Sequence, residues 1–201
     1  MLPPLLSHLP NWVPSDATAI DQAGVDIAIV SPAAPVPPLG DVDALPAGRI
    51  DLVMPRGIDA APIAAAIAPL GLTATALPEW IVAAVAQFTA ITDADAVKLR
   101  VEITADITCP KFHVDSVHVR LVSTLHGAGT EFVHRDEPSD IQQASPGDLV
   151  LLKGRRHPTH TDTVKHRSPP VPAGARRVVM VLDCCVIRPD RPSGRCDGAA
   201  P

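Results

Sequence analysis

The spacing of apolar residues changes from helical to alternating near the middle of this 201-residue chain. In the first half, apolar residues recur every three or four positions over 59–69 and 78–92, which predicts two amphipathic helices. Shorter apolar runs predict strands over 25–30 and 50–54. We therefore expect a mainly helical front half with extended connections.

After residue 96 the side chains alternate between apolar and polar. Over 97–104 every second residue is Val, Leu or Ile, and the residues between them are charged or Thr, which is typical of a half-buried strand. Further strands are predicted over 114–125, 130–133, 149–152, 164–168 and 176–186, with a polar loop over 134–146. Because short strands follow helices, we expect an α+β fold, in which a helical N-terminal part precedes a double-stranded β-helix of jelly-roll or cupin-like type.

This pattern divides the chain into three segments. Residues 1–96 are expected to form a helical and extended region that packs on the barrel. Residues 97–187 are expected to form the jelly-roll core, and 188–201, which is rich in Pro, Gly and charged residues, is expected to be a disordered tail.

Composition refines the expected core and excludes some partners. Hydrophobic residues make up 46% of the chain, but there are only two Trp, three Phe and no Tyr, so the core must be aliphatic. The basic residues are scattered among carboxylates without an aromatic platform, which argues against nucleic-acid binding. No apolar run approaches the ~20 residues of a membrane span, and the N-terminus does not resemble a signal peptide. A cytoplasmic protein that acts on a small molecule is expected.

The residues with the clearest chemistry lie in the strand-rich half. His113 and Asp115 are two positions apart, and residues with this spacing on a strand share a face. His166, on a later predicted strand, is the best candidate for a third ligand. Two histidines and one carboxylate on one face of a metal leave three positions open, which is typical of non-haem iron(II) oxygenases.

Other residues near this motif have alternative interpretations. His157 and His160 could form a zinc site with His166. On a regular strand His118 and Arg120 face away from the site, although a bend at Asp115 would let Arg120 reach it. Cys109 is expected to be a small buried hydrophobic residue.

The segment 166–177 resembles a pattern in the iron(II)- and 2-oxoglutarate-dependent dioxygenases. In that superfamily a basic residue about ten positions after the distal histidine binds the remote carboxylate of the co-substrate. The resemblance implies this role for Arg176 or Arg177, with Ser168 nearby. Both alternating sets of residues in the following strand are apolar, so the strand does not decide which arginine faces inward. The spacing of ten slightly favours Arg176.

A second resemblance covers more of the chain. The runs 109–133, 147–154 and 166–170 are similar to the bacterial family known as domain of unknown function 1826, and the similarity extends over roughly 75–188. Membership implies no particular activity. Some members are encoded beside zinc-linked metallochaperone GTPases, which implies a functional link to such a GTPase and keeps zinc as an alternative metal.

Three functional hypotheses follow. The leading one is an iron(II)- and 2-oxoglutarate-dependent oxygenase, a non-haem iron dioxygenase acting on a small substrate. The second is a cupin-like metalloenzyme that uses no 2-oxoglutarate, such as an isomerase or a hydrolase. The third is a zinc-binding protein without catalytic activity that takes part in zinc homeostasis.

Overall fold

A computed structural model describes residues 17–32 and 34–185. It contains two α-helices, α1 (Ala60–Ile67) and α2 (Leu77–Thr92), and three short 3-10 helices at Ala17–Asp21, Val42–Ala44 and Ala68–Leu70. The nine strands are β1 (Ile27–Val30), β2 (Gly48–Pro55), β3 (Ala96–Thr104), β4 (Val119–His126), β5 (Glu131–His134), β6 (Glu137–Gln143), β7 (Leu149–Lys153), β8 (Val164–Arg167) and β9 (Arg177–Cys185). The predicted tail, 188–201, lies outside the described residues.

The strands form two antiparallel sheets. The larger sheet has the order β1-β7-β4-β9-β3-β2, and the smaller has the order β6-β5-β8. An isolated bridge between His113 and His166 extends the smaller sheet beside β8. If the bridge at His113 is counted as a strand position, the chain from β3 to β9 passes between the sheets in the order of a double-stranded β-helix, as the sequence predicted.

The first 96 residues differ from the expected helical part. Besides the two helices they contain β1 and β2, which pair with β7 and β3 and form the two edges of the larger sheet. Along β2, more exposed and less exposed side chains alternate, as expected for a strand with one face toward the core. The helical N-terminal part predicted from the sequence is therefore a mixed region that widens the sheet.

The two faces of the larger sheet have different neighbours. The helices cover one face of the sheet. There Phe88 of α2 lies in a large, mainly aliphatic core with alternate residues of the strands, including Leu99, Leu121, Met180 and Leu182. The opposite face, together with the smaller sheet, encloses a smaller apolar cluster that includes Ile27, Val122, Phe132, Leu152 and Val179. The interior of the barrel is therefore only partly filled by apolar side chains.

Two predicted segments have a different structure. The polar loop expected over 134–146 contains β6, whose residues are almost all exposed because it pairs only with β5 at the edge of the smaller sheet. The strand expected from residue 114 begins only at Val119. Before it, the backbone carbonyls of Asp115, Val117 and His118 accept hydrogen bonds from residues 154–156. Gly154 permits this close approach, because a Cβ atom there would clash with the carbonyl of Val117.

No helix in the described ranges is long and apolar enough to cross a membrane.

Candidate metal centre

The structure brings together the three side chains that the sequence singled out. One possible ligand atom from each of His113, Asp115 and His166 lies within 4.8 Å of the others. The Nε2 atom of His166 is 3.2 Å from Oδ2 of Asp115, and Nε2 of His113 is 3.6 Å from Oδ1. These distances give a compact set of two imidazoles and one carboxylate.

Backbone pairing explains why the two histidines meet. The amide N–H of each donates to the carbonyl of the other at 3.0 Å, which places the ring centroids 4.5 Å apart. The sequence predicted a regular strand through His113 and Asp115, but only this single bridge forms. Asp115 follows it in an irregular segment, and its side chain still turns toward the histidines.

Neighbouring groups fix the orientation of the ligands. The ring Nδ1 of His113 is 2.9 Å from the carbonyl of Lys111, so a proton there leaves Nε2 free to bind a metal. Arg120 contacts Oδ1 of Asp115 at 2.7 Å and forms a two-bonded contact with Asp183 at 2.7 and 2.8 Å. The guanidinium therefore holds Oδ1 of Asp115, which also lies near His113, and leaves Oδ2 facing His166.

The charge states of Asp115 and His166 suit metal binding. Burial by itself would raise the pKa of Asp115, but the close contacts with His113 and His166, with the charge of Arg120, hold that pKa well below its usual range. Burial lowers the pKa of His166. The contact with Asp115 raises the pKa of His113. An anionic carboxylate and a neutral buried imidazole are the forms that coordinate a cation.

One atom indicates directly that a cation fits. Oδ2 of Asp115 is buried, and although Nε2 of His166 lies 3.2 Å away, no well-directed hydrogen bond from the described residues reaches it. An anionic oxygen in this state is costly, and a divalent ion among the three side chains would compensate it. Two nitrogens and one oxygen suit iron(II) with open positions better than a closed four-ligand zinc site.

A cavity of about 110 Å³ lies beside the cluster. His113 and His166 form part of its wall, and Arg177 forms another part. The Arg177 side chain is buried, and its guanidinium donates to the carbonyl of Ala128 at 2.9 Å and to the hydroxyl of Thr124 at 2.8 Å. Burial lowers the pKa of Arg177 to about 10, so it remains a cation at neutral pH.

Of the two arginines that the sequence singled out, Arg177 lines the cavity and Arg176 does not. Arg176 precedes β9; its backbone N–H donates to the carboxylate of Asp43, and its guanidinium donates to the carbonyl of Leu45, away from the cavity. Arg177 shares the interior face of β9 with Val179 and Val181. Ser168 also lines the cavity. Arg177, the arginine at the cavity, lies eleven residues after His166.

Arg120 reaches the site because the chain bends at 116–118 before β4 begins. The sequence analysis offered this orientation only as an alternative to an outward one. His118 is exposed, and its ring lies 4.4 Å from that of His157. Cys109 is exposed and lines the cavity, so the expectation of a buried hydrophobic residue was wrong.

The zinc alternative is not supported. His157 contacts Asp21 at 3.3 Å, and His160 contacts Asp26 at 3.5 Å. Among the described residues, the one metal-ligating group that forms is that of His113, Asp115 and His166. His157 and His160 instead attach the loop before β8 to the segment that leads into β1.

Sequence reasoning missed two cavity residues, Arg100 and Glu102. Both are charged positions of the alternating strand β3, whose apolar positions face the helices. The alternation showed that they occupy the other face. It did not show that this face is the barrel interior.

Solved structures with a similar fold include two dioxygenases and a cupin domain. The dioxygenase for auxin oxidation 1 of Arabidopsis thaliana, solved with 2-oxoglutarate, is 10% identical over 76% of this chain and 67% of that chain, with a TM-score of 0.45. The rice dioxygenase for auxin oxidation is 18% identical over 86% and 64%, with a TM-score of 0.43. A cupin domain from Bordetella pertussis is 11% identical over 45% and 82%, with a TM-score of 0.30. The chain thus spans about two thirds of the length of the two dioxygenases.

None of the curated proteins matches the chain in sequence. A family model described as "Protein of unknown function (DUF1826)" matches residues 14–183. This range includes the three clustered ligands and both arginines of the sequence prediction. The chain therefore belongs to the DUF1826 family.

Proposed function

We propose that this protein is an iron(II)- and 2-oxoglutarate-dependent oxygenase acting on a small substrate. One observation carries the proposal. The buried Oδ2 of Asp115, which lies beside two histidines and receives no well-directed hydrogen bond, is next to a cavity whose wall also includes the cationic side chain of Arg177. A metal and a guanidinium facing one small cavity are complementary to a molecule with an acid group at each end.

The ligand set supports iron(II). His113, Asp115 and His166 would hold the metal and leave three positions open for co-substrate and dioxygen. Cobalt(II) and nickel(II) are expected to bind the same residues, because affinity order alone does not select iron.

Arg177 supports 2-oxoglutarate as the co-substrate. It forms no ion pair with a carboxylate in the described part of the chain, although it is buried and cationic. A guanidinium offers two parallel N–H donors to a carboxylate, so it would bind the remote acid group of 2-oxoglutarate. We assign Ser168, at the cavity wall, a hydrogen bond to the same co-substrate.

The protein's own residues would orient the metal-binding carboxylate and exclude water from the cavity. When bound, iron(II) and 2-oxoglutarate supply the oxidation: one atom of dioxygen enters the substrate and the other enters succinate, with release of carbon dioxide. Arg120 keeps the Asp115 carboxylate in the metal-binding orientation. The apolar wall formed by Val122, Val179 and Val181 excludes water from the cavity.

Titration of 2-oxoglutarate into anaerobic, iron-loaded protein tests the proposal. We expect the weak visible charge-transfer band of a keto acid bound to iron(II). Arg177→Gln should weaken 2-oxoglutarate binding about 10- to 150-fold, because it removes a charge-assisted two-bonded contact. The matched control is Arg176→Gln, which should leave the affinity unchanged because Arg176 points away from the cavity.

Two results would overturn the proposal. If 2-oxoglutarate does not bind the wild-type protein at millimolar concentration, the cupin-like alternative without 2-oxoglutarate replaces it. If Asp115→Ala retains wild-type levels of iron, the metal centre itself is assigned to the wrong residues.

A further inference from the structure

Four arginines line the cavity, and they differ in how well their charges are compensated. Arg120 is paired with two aspartates. Arg167 contacts Glu131 at 2.6 Å and lies over the ring of Phe112, 4.4 Å from its centroid. Arg177 is the residue assigned above to 2-oxoglutarate. The fourth, Arg100, has no role in the proposed co-substrate site.

Arg100 is poorly compensated for a partly buried cation. Its nearest carboxylate oxygen, on Glu102, is 3.9 Å away. The Nε atom is buried and has no hydrogen-bond partner among the described residues. Burial and the nearby charge of Arg120 both lower the pKa of Arg100. A buried guanidinium N–H without an acceptor is costly, and an anionic ligand in the cavity would compensate it.

The register of the larger sheet separates Arg100 from Arg177. Arg100 lies opposite Val181, four residues along β9 from Arg177. At the rise of an antiparallel strand, this places their Cα atoms about 13 Å apart along the strand direction. The two arginine side chains therefore leave the sheet at different places along the cavity wall, so each can serve a different acid group.

We propose that Arg100 binds an oxyanion, a carboxylate or a phosphate, carried by the primary substrate. This assignment rests on the proposed function, because it gives Arg177 to 2-oxoglutarate. It identifies the substrate class as small acidic molecules. Glu102 lies two residues away on the same face of β3 and disfavours a second anionic group beside the first.

Paramagnetic NMR with a simple anion tests the assignment. The probe is methylphosphonate, added to cobalt(II)-loaded protein with and without saturating 2-oxoglutarate. We expect saturable broadening of its ³¹P signal in both conditions, because Arg100 faces the cavity beside the metal. Arg100→Gln should weaken methylphosphonate binding about 10- to 100-fold, and Arg100→Lys should retain part of it.

Two further variants isolate Arg100. Lys98→Gln is the matched control, since Lys98 precedes Arg100 by two residues in β3 but pairs with Asp51 at 3.2 Å. It should leave methylphosphonate binding unchanged. Arg177→Gln should weaken 2-oxoglutarate and spare methylphosphonate. Circular dichroism of each variant confirms that it is folded.

The outcomes separate this inference from the proposed function. Unchanged methylphosphonate binding in both Arg100 variants overturns it. So does a result in which Arg100→Gln weakens 2-oxoglutarate rather than methylphosphonate, because Arg100 would then serve the co-substrate. If wild-type protein binds no 2-oxoglutarate, the oxygenase proposal fails, and the arm without 2-oxoglutarate still decides whether Arg100 binds an anion.

Discussion

The two faces of β9 show how one strand serves both stability and chemistry. Toward the helices, Val178, Met180 and Leu182 are fully buried in the large aliphatic core. Toward the barrel interior, Arg177 and Asp183 flank Val179 and Val181. Both faces of β9 carry apolar residues, but only the interior face carries charged ones, Arg177 and Asp183. The strand that carries these charged residues is thus stabilised by the aliphatic core on its other face.

The two faces also differ in what their burial costs. Burying an aliphatic side chain on the helix-facing side stabilises the fold by roughly 1.5–3 kcal/mol, with no polar group to compensate. On the interior face, the charges of Arg120, Asp115 and Asp183 lose hydration on burial, and the ion pairs among them compensate for this cost. We therefore expect mutations on the helix-facing side to affect stability most, and mutations on the interior face to affect binding most.

The largest effect is expected at Leu182, which faces the helices and lies opposite Leu99 and Leu121 in the sheet. Leu182→Ala should lower the free energy of unfolding by about 2–5 kcal/mol, because it leaves a cavity in a closely packed core. Urea denaturation measures this change. The iron affinity of the folded variant should remain within about twofold of wild type. A fall in iron affinity as large as the loss of stability would show that the two faces are not independent.

The next effect concerns the orientation of Asp115. Arg120→Lys preserves the charge but loses the two-bonded contact with Asp183, so Asp115 is held less firmly. Metal affinity should fall about 10- to 100-fold, as measured by competition with a chelator. The control is Arg49→Lys, which alters a similar two-bonded contact with Asp51 on the edge strand β2, contacts none of the three metal-binding side chains, and should leave affinity unchanged. Equal losses in both variants would rule out a specific role for Arg120.

The smallest effect concerns the loop before β8, which carries His166. The buried carboxylate of Asp26 accepts hydrogen bonds from the backbone N–H and the hydroxyl of both Thr161 and Thr163. Burial by itself would raise the pKa of Asp26, but these hydrogen bonds outweigh it and lower the pKa. Asp26→Asn should reduce the free energy of unfolding at pH 7 by about 1–2 kcal/mol.

The pH dependence of that difference follows from its sign. Because the folded pKa of Asp26 lies below the unfolded one, its contribution is complete above the unfolded value and is lost as the pH falls through the folded value. The gap between wild type and Asp26→Asn in urea denaturation should therefore narrow below about pH 4. Asp162→Asn, an exposed carboxylate in the same loop, is the control, with an expected change below about 0.5 kcal/mol. A gap that stays constant down to pH 2 contradicts this account.

Local patterns in the sequence predicted most of the elements and the ligand trio. The helical period predicted α1 and α2, and the alternation in 97–104 predicted β3 and its apolar face. The pair His113 and Asp115, with His166 on a later strand, was recognisable because ligand chemistry depends on residue type and short spacing. β6 was missed because its residues are polar on both faces, and an edge strand needs no apolar stripe.

What the sequence alone determined is therefore the set of groups that can bind a metal and the strand, β8, that carries His166. The tertiary structure decided which cationic groups join them. Both faces of β9 contain apolar residues, so only its pairing with β3 and β4 turns Arg177 inward and leaves Arg176 outside. Likewise, the bend before β4 brings Arg120 to Asp115, and the closure of two sheets makes the charged face of β3 an interior one. These outcomes depend on contacts between residues far apart in the chain, which no local period records.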